Sequence, residues 1–316
     1  MEKFRLTYSQ AQSIFNRHSL GQVDSLEEIK SGSINPVFLL NTKYIIRVDL
    51  GNPEYKDKLK KESVLFDVLP KFSIPTPRLI VFDDSRKLLK FPFFIINYIS
   101  GSNLADGFSK ESKKTKNQLI SELGNLLKNI HSVEMSGLEK SGLMGNVYDW
   151  VSKFKNNFQT YFSFVKANKY FPQETINQIE RIFNDYRQIS DWKSIACLTH
   201  GDINPGNIRI NDGHIIGIFD FEYACIADPF IDLERFPINY QLGSDFNKEI
   251  FLNAYGTFNL SRQEIIRLKT YCINQGLWEI WATVTQQFAY GPNVIEEGRR
   301  LVNNTVDLNR EKITLQ

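Results

Sequence analysis

Three oxygen-bearing side chains at short, ordered spacing are the part of this chain best suited to chemistry. The stretch His200-Gly201-Asp202-Ile203-Asn204-Pro205-Gly206-Asn207 sets an aspartate and an asparagine five positions apart in a loop of turn formers. Gly217-Ile218-Phe219-Asp220-Phe221-Glu222 then brings a second aspartate to the end of an apolar run. Moving a nucleotide γ-phosphoryl group to a hydroxyl needs such a set. One carboxylate must orient the attacking hydroxyl and take its proton, while an amide oxygen and another carboxylate hold magnesium against the phosphates. Asp202 suits the first task. Asn207 and Asp220 suit the second, because Mg²⁺ takes few protein ligands and prefers hard oxygens. His200 reads as a brace for the loop and not as a base. A plain turn would explain Gly201, Asn204, Pro205 and Gly206. It leaves unexplained why carboxylates and an amide fill all three positions.

The order H-x-D-x-x-x-x-N followed by a metal-binding Asp matches the kinase catalytic pattern. The flanks narrow it. His200-Gly201-Asp202 stands where protein kinases have His-Arg-Asp, and Asp220-Phe221-Glu222 where they have Asp-Phe-Gly. Ala227-Asp228-Pro229-Phe230-Ile231-Asp232-Leu233 follows directly, with no Ala-Pro-Glu and no long activation segment. This combination resembles the aminoglycoside phosphotransferase family, whose relatives include choline, homoserine and fructosamine kinases and macrolide phosphotransferases. The resemblance is densest over residues 195–236 and extends weakly back to about residue 30. It implies an α+β, protein-kinase-like fold of two lobes: a small β-rich N-lobe with one main helix and a large, mostly helical C-lobe. It also implies ATP or GTP as phosphoryl donor, Mg²⁺, and a small-molecule hydroxyl acceptor. Aspartates at the positions of Asp228 and Asp232 either brace the catalytic-loop backbone in such a fold or meet substrate.

The nucleotide side carries weaker signals. Ser31-Gly32-Ser33-Ile34-Asn35 lies between two strand-like segments, where a phosphate-covering loop with Ser33 belongs. One glycine makes neither GxGxxG nor Walker A, and a hairpin turn explains it as well. Arg47, in Tyr44-Ile45-Ile46-Arg47-Val48, occupies the third-strand position where protein kinases put a phosphate-pairing lysine. Many members of the resembled family carry arginine there, and its planar fork suits phosphate or carboxylate oxygens. Its expected partner is Glu62 on the following helix; the alternative is an ordinary surface glutamate. Asn97, Tyr98 and Ile99 would form a hinge whose main chain meets the purine, which leaves ATP and GTP both open.

The acceptor is read from charge and aromatic content. Residues 222–249 hold Glu222, Asp228, Asp232, Glu234, Asp245 and Glu249 against Arg235 and Lys248, an acidic rim that would suit a polycationic aminoglycoside. Trp278, Trp281 and Phe288 would line a pocket for a macrolide or quaternary amine, or else belong to the core. The acceptor classes are therefore an antibiotic (aminoglycoside or macrolide) or a metabolite of choline, homoserine or sugar type. A catalytically silent nucleotide-binding module is the alternative, against which the joint presence of Asp202, Asn207 and Asp220 argues. A metal-dependent hydrolase on His200, Asp202 and Asp220 fails on ligand supply. His18, His131, His200 and His214 are the four histidines, and none pairs with another at metal-ligand spacing.

Elements able to position these groups follow in order. A helix capped by Thr7 or Ser9 runs to about Arg17, and strands are expected at Ile29–Ser33, Val37–Asn41 and Tyr44–Leu50. A helix over Glu54–Leu69 comes next, then strands Arg78–Phe82 and Phe91–Tyr98. Ser100-Gly101-Ser102 breaks the pattern, so the lobes are expected at 1–98 and 99–316. Leu119, Leu123, Leu126, Leu127 and Ile130 form a helical stripe ending at His131. Residues 142–192 and 244–312 read as mostly helical. The 316 residues carry 42% hydrophobic content and a net charge of +2, which gives an ordinary core and no bias toward polyanions. The clusters Lys56-Lys58-Lys60-Lys61 and Lys110–Lys116 read as solvated helix faces, not nucleic-acid sites. Cys197, Cys225 and Cys272 have no metal-ligand spacing and read as reduced thiols. A polar N-terminus and no apolar run near ~20 residues point to a cytoplasmic protein without membrane or nucleic-acid partners.

Overall fold

A computed structural model describes residues 4–29, 35–51, 57–135, 138, 144–235, 242–256, 260–287, 291 and 293–308. Helix α1 (Tyr8–Arg17) starts in a capping box in which Thr7 accepts from the Gln10 N–H and Gln10 reaches back to Thr7. Strands β1 (Leu26–Ile29), β2 (Val37–Leu40), β3 (Tyr44–Val48), β4 (Leu79–Asp83) and β5 (Phe93–Asn97) form one sheet in the order β1-β2-β3-β5-β4. Its pairings are antiparallel. β1 lies earlier than expected, and residues 30–34, Ser33 among them, lie outside the described residues. Side chains alternate along a strand, so Phe38, Leu40, Ile46, Val48, Phe93 and Ile95 pack with Ile14 and Phe15 of α1. Phe94 and Ile96 face the other way, onto helix α2 (Lys58–Val68) through Leu59, Leu65 and Phe66. The same alternation puts Arg47 on the α2 side of β3. The described helix is shorter than the expected 54–69, and residues 52–56 are outside the description.

Gly101 marks the passage to the second region. Its φ of +134° is open to glycine alone, and a Cβ there would stand 2.5 Å from the Ile210 carbonyl oxygen. After β6 (Ser102–Asn103) and the short α3 (Leu104–Gly107), helix α4 (Lys113–His131) buries Leu119, Leu123, Leu126, Leu127 and Ile130. α5 (Val147–Ala167) and α6 (Gln173–Arg187) pack through their aromatic faces, with Phe158 stacked on Phe183 at 3.9 Å. Two small sheets then carry the loops of interest. β7 (Cys197–Thr199) pairs with β10 (Cys225–Ala227), and β8 (Ile208–Asn211) joins β6 to β9 (His214–Ile218). Helices α7 (Lys248–Tyr255), α8 (Arg262–Val284) and α9 (Asn293–Val306) complete the region. One core runs from α2 across the seam into these helices, joining Phe66 and Phe94 to Phe221, Leu198 and Tyr271. Among the described residues the cysteines are free thiols, and no helix is long and apolar enough to cross a membrane.

Candidate active site

The loop between β7 and β8 is held from beneath by Asp232. Its carboxylate accepts from the main-chain N–H groups of His200 and Gly201, both at 2.8 Å, and from His131 Nε2 at 3.0 Å. Burial alone would raise the Asp232 carboxyl. The hydrogen bond and charge of His131 and the His200 main-chain N–H outweigh it and hold the group below its ordinary range. Asp228 is equally committed: it accepts from Arg267 at 2.7 Å, the Tyr271 hydroxyl at 2.8 Å and the Phe230 N–H at 3.0 Å. Both aspartates therefore brace the structure. Gly201 bends the loop at φ +81°, where a Cβ would meet the Tyr223 carbonyl oxygen at 2.5 Å.

That bend delivers Asp202 to the seam between the lobes. Its side chain accepts from Asn204 Nδ2 at 3.1 Å and stands 3.4 Å from Asn207 Nδ2, which also donates to the Asp202 carbonyl at 2.9 Å. With its nitrogen so used, the Asn207 amide presents its oxygen to the opposite side. Burial pushes the Asp202 carboxyl upward against the Asn204 hydrogen bond. His200 is fully buried and links the two loops. Its Nε2 donates to the Phe219 carbonyl at 2.8 Å, so Nδ1 is left to accept the Asp202 N–H at 3.3 Å. The Phe219 N–H in turn donates to the Asn207 carbonyl at 3.0 Å. Asp220 is thus tied to the catalytic loop by its neighbour's main chain on both sides.

Asp220 itself turns through left-handed backbone (φ +66°), leaving its side chain 37% exposed toward the seam. Arg47 Nη1 lies 3.3 Å from it and 2.7 Å from Glu62 Oε2, while Nη2 lies 2.7 Å from Glu222 Oε2. Glu62 is buried under this group, and its carboxyl is pushed up to about 7 by that burial, beyond what the charge of Arg47 restores. The Arg47 guanidinium stays charged throughout, since three carboxylates offset the cost of burying it. Lys58 and Lys61, read from sequence as part of a solvated face, turn inward. Lys58 Nζ is 3.5 Å from Glu222 Oε1, and Lys61 Nζ donates to the Ala224 carbonyl at 2.8 Å. The cause is helical geometry: positions 58, 61 and 62 share the face of α2 that lies on the Phe221–Ala224 turn.

The hinge residues divide. Asn97 closes the sheet: its N–H donates to the Arg78 carbonyl, and its side-chain oxygen accepts the Arg78 N–H. The Tyr98 N–H is taken by the Lys43 carbonyl at 2.7 Å. Ile99 sits over β9, where its Cδ1 would lie 3.1 Å from a Cβ on Gly217. Of the three, it is the residue whose main chain the sheet leaves uncommitted.

The acidic rim comes apart in three dimensions. Glu222 belongs to Arg47, Asp228 and Asp232 are braces, and Asp245 pairs with Lys116 at 2.7 Å at the far end of α4. Glu234 stays near Asp202, lining with Arg235 and the bracing Asp232 a small cavity against Gly201 and Ile203. A residue outside the sequence reading joins it. Glu279 of α8 is 2% exposed, binds Arg235 Nη1 at 2.7 Å and accepts from Gln275 at 3.1 Å, yet among the described residues its Oε2 has no hydrogen-bond partner. Burial pushes Glu234 up to about 8, with Asp202 and Glu279 adding to the rise and Arg235 opposing it. Burial raises Glu279 as well. A lone glutamate between Leu277, Trp278 and Ile280 was the available signal, because a charge in an apolar helical run is a buried charge awaiting a partner. Trp281 packs on Tyr161 at 4.9 Å, and Phe288 lies outside the described residues.

A five-stranded lobe stacked on a helical one, with Asp202, Asn207 and Asp220 gathered at the seam, is the arrangement of a small-molecule kinase. Known proteins bear out that class. Residues 25–262 match the phosphotransferase enzyme family, and the chain belongs to it. The fold is similar to that of the aminoglycoside phosphotransferase APH(2")-IIa, solved with streptomycin and ATP. There the TM-score is 0.66 at 20% identity, covering 93% of this chain and 97% of the other. It is similar also to APH(2")-IIIa, solved with GDP and kanamycin, with a TM-score of 0.66 at 17% identity over 95% and 98% of the two chains. In sequence, 280 residues are 20% identical to acyl-CoA dehydrogenase family member 10 of Mus musculus, over 84% of this chain. The chain spans about a quarter of that protein, 25% of its length.

Proposed function

We propose that this protein transfers the γ-phosphoryl group of ATP or GTP, with Mg²⁺, to a hydroxyl of a small molecule that carries a protonated amine. The observation that supports phosphoryl transfer is the mutual anchoring of Asp202, Asn207 and Asp220 through the main chain of Phe219. Asp202 accepts the acceptor hydroxyl's hydrogen bond, aligns its oxygen with the phosphorus and takes the proton late. Its raised carboxyl keeps enough basicity for that task. Asn207 Oδ1 and the exposed Asp220 carboxylate fit magnesium, a hard ion that one carboxylate, an amide oxygen and phosphates can hold. Bound magnesium would neutralise charge on the β- and γ-phosphates. Arg47, beside Asp220 at 3.3 Å, would add a fixed positive charge there. Catalysis is then chiefly alignment and fixed charge.

The amine is argued from the acceptor side. Asp202, Glu234 and Glu279 surround one arginine, and a buried Glu279 oxygen is left over. A ligand ammonium there would satisfy that oxygen and offset the negative excess. Aminoglycosides and amino alcohols meet this requirement; neutral sugars do not. The test is Mg²⁺-dependent ADP or GDP release with aminoglycosides, choline, ethanolamine, homoserine and neutral sugars, with Asp202→Ala beside the parent chain. Stimulation by an amine-bearing class that vanishes in the variant is the expected result. Stimulation by neutral sugars alone would overturn the amine, and nucleotide binding without release for every acceptor would favour a silent module.

A further inference from the structure

Two helices of the second region end at one place. His131 is the last residue of α4 and Tyr255 the last of α7, which Gly256 stops at φ +93°. The helices approach closely before those ends: a Cβ on Gly124 would stand 2.5 Å from the Phe251 carbonyl oxygen. This contact sets the Tyr255 hydroxyl 2.8 Å from His131 Nδ1, with the two rings edge to face and the Phe251 ring parallel to that of Tyr255. The other ring nitrogen, Nε2, lies 3.0 Å from Asp232 Oδ2.

Asp232 takes a hydrogen bond from Nε2, and an imidazole by itself does not guarantee one. Its proton can sit on either nitrogen, and the partner of one nitrogen decides the state of the other. A hydroxyl both donates and accepts. Toward a neutral ring Tyr255 donates to Nδ1 and so keeps the proton on Nε2. Toward a charged ring it accepts from Nδ1, and Nε2 again donates. Burial raises the Tyr255 phenol, so the group remains a hydroxyl. From Asp232 the path to the loop is short. Oδ2 also takes the His200 N–H and Oδ1 the Gly201 N–H, each at 2.8 Å. Those two residues immediately precede Asp202.

We propose that Tyr255 is a positioning residue for the catalytic loop: its hydroxyl fixes the ring of His131, the ring fixes the Asp232 carboxylate, and the carboxylate fixes the main chain that delivers Asp202. The packing of α7 on α4, far along the chain from the loop, thereby reaches the reacting hydroxyl without touching it. The effect on rate rests on Asp202 taking the acceptor's proton, as argued above; the effect on the loop does not.

The test compares the intact chain with Tyr255→Phe, which removes a single oxygen. Nitrogen-15 spectra of the histidine rings, with His131 assigned from His131→Ala, should show Nε2 protonated in the parent chain. A bare Nε2 would overturn the proposal, and this readout stands even should Tyr255→Phe fail to fold. Amide hydrogen exchange at Gly201 should quicken about tenfold in Tyr255→Phe, the scale of one lost hydrogen bond, while amides of α6 keep their rates. An unchanged Gly201 rate would overturn the proposal. So would equal quickening in α6, which marks general loosening by a merely structural hydroxyl. With a working acceptor, kcat should fall about tenfold in Tyr255→Phe while both Michaelis constants stay within about twofold of the parent values. Tyr255→Phe added to His131→Ala should change kcat by less than about twofold, because Tyr255 acts only through His131. Losses that simply add, or a raised Michaelis constant with kcat intact, would count against it decisively. Quickened exchange at Gly201 with no turnover of any acceptor would uphold the positioning of the loop and sink the phosphoryl-transfer reading instead.

Discussion

On the donor side of the seam, Arg47 and Lys58 face Glu62, Asp220 and Glu222, and each of those carboxylates lies within 3.5 Å of a cation. On the side proposed for the acceptor Arg235 faces Asp202, Glu234 and Glu279, and among the described residues a buried Glu279 oxygen has no hydrogen-bond partner. The two sides share residue types and differ in balance. A nucleotide brings its own negative charge and its magnesium, so the donor side needs cations whose geometry is set beforehand, and carboxylates on both lobes set it. The proposed acceptor side keeps a negative excess, which lowers stability in the empty protein and which, under the proposed function, a cationic ligand would relieve.

Asp202 stands where the two sides meet, so its loss is the sharpest test of the comparison. Asp202→Ala should lower kcat about a thousandfold, as for other general bases, while leaving analogue binding on the donor side intact in calorimetry. Loss of nucleotide affinity in that variant would erase the boundary drawn here. Next in size is the shared foundation. Asp232→Ala strands the His200 and Gly201 N–H groups and His131, and should cost about 3 kcal/mol in a denaturant melt. An effect under about 1 kcal/mol would mean that the loop holds its shape by other means. Glu279→Gln addresses selection alone: the acceptor KM should rise about tenfold with nucleotide affinity unchanged, matching one charged hydrogen bond. Equal losses for both ligands would break the comparison.

The smallest effect is on pH. Glu234 and Glu62 lose their protons near 4.5 when unfolded and near about 8 and about 7 when folded. Between those limits the native state binds more protons, so stability should fall as pH rises from about 4.5 to about 8. Asp232 runs the other way: its depressed pKa adds stability above the unfolded value that is lost as acid protonates it. Glu234→Gln should flatten the neutral part of the stability curve in melts across pH 5 to 9. An unchanged slope would place the excess charge elsewhere.

The strands and helices were legible from short apolar runs in Val37–Leu40 and Phe93–Asn97 and from a 3.6-residue stripe in Lys113–His131. Thr7, one of the two caps offered with Ser9, announced the first helix, and the structure shows Gln10 closing the capping box. For Asp228 and Asp232, and for Arg47 with Glu62, the family resemblance supplied two readings each, and the structure shows the bracing role and the ion pair. The acidic rim did not survive, because charge counted along 222–249 ignores that a turn at Asp220 and a buried strand at Cys225–Ala227 send neighbouring acids to opposite sides. Lys58 and Lys61 were misread for a related reason, since an all-polar stretch of helix gives no sign that another lobe covers one face.

By itself, then, the sequence determined the elements, the lobe order and the set Asp202, Asn207 and Asp220, because short-range spacing and periodicity are properties of a single chain segment. Only the tertiary structure decided which carboxylate belongs to which cation. Glu222 went to Arg47, 175 positions away, and Glu279 to Arg235, across a loop and the following helices. Pairing of buried charges is set by distance and desolvation in the folded state, and neither is written in the order of residues.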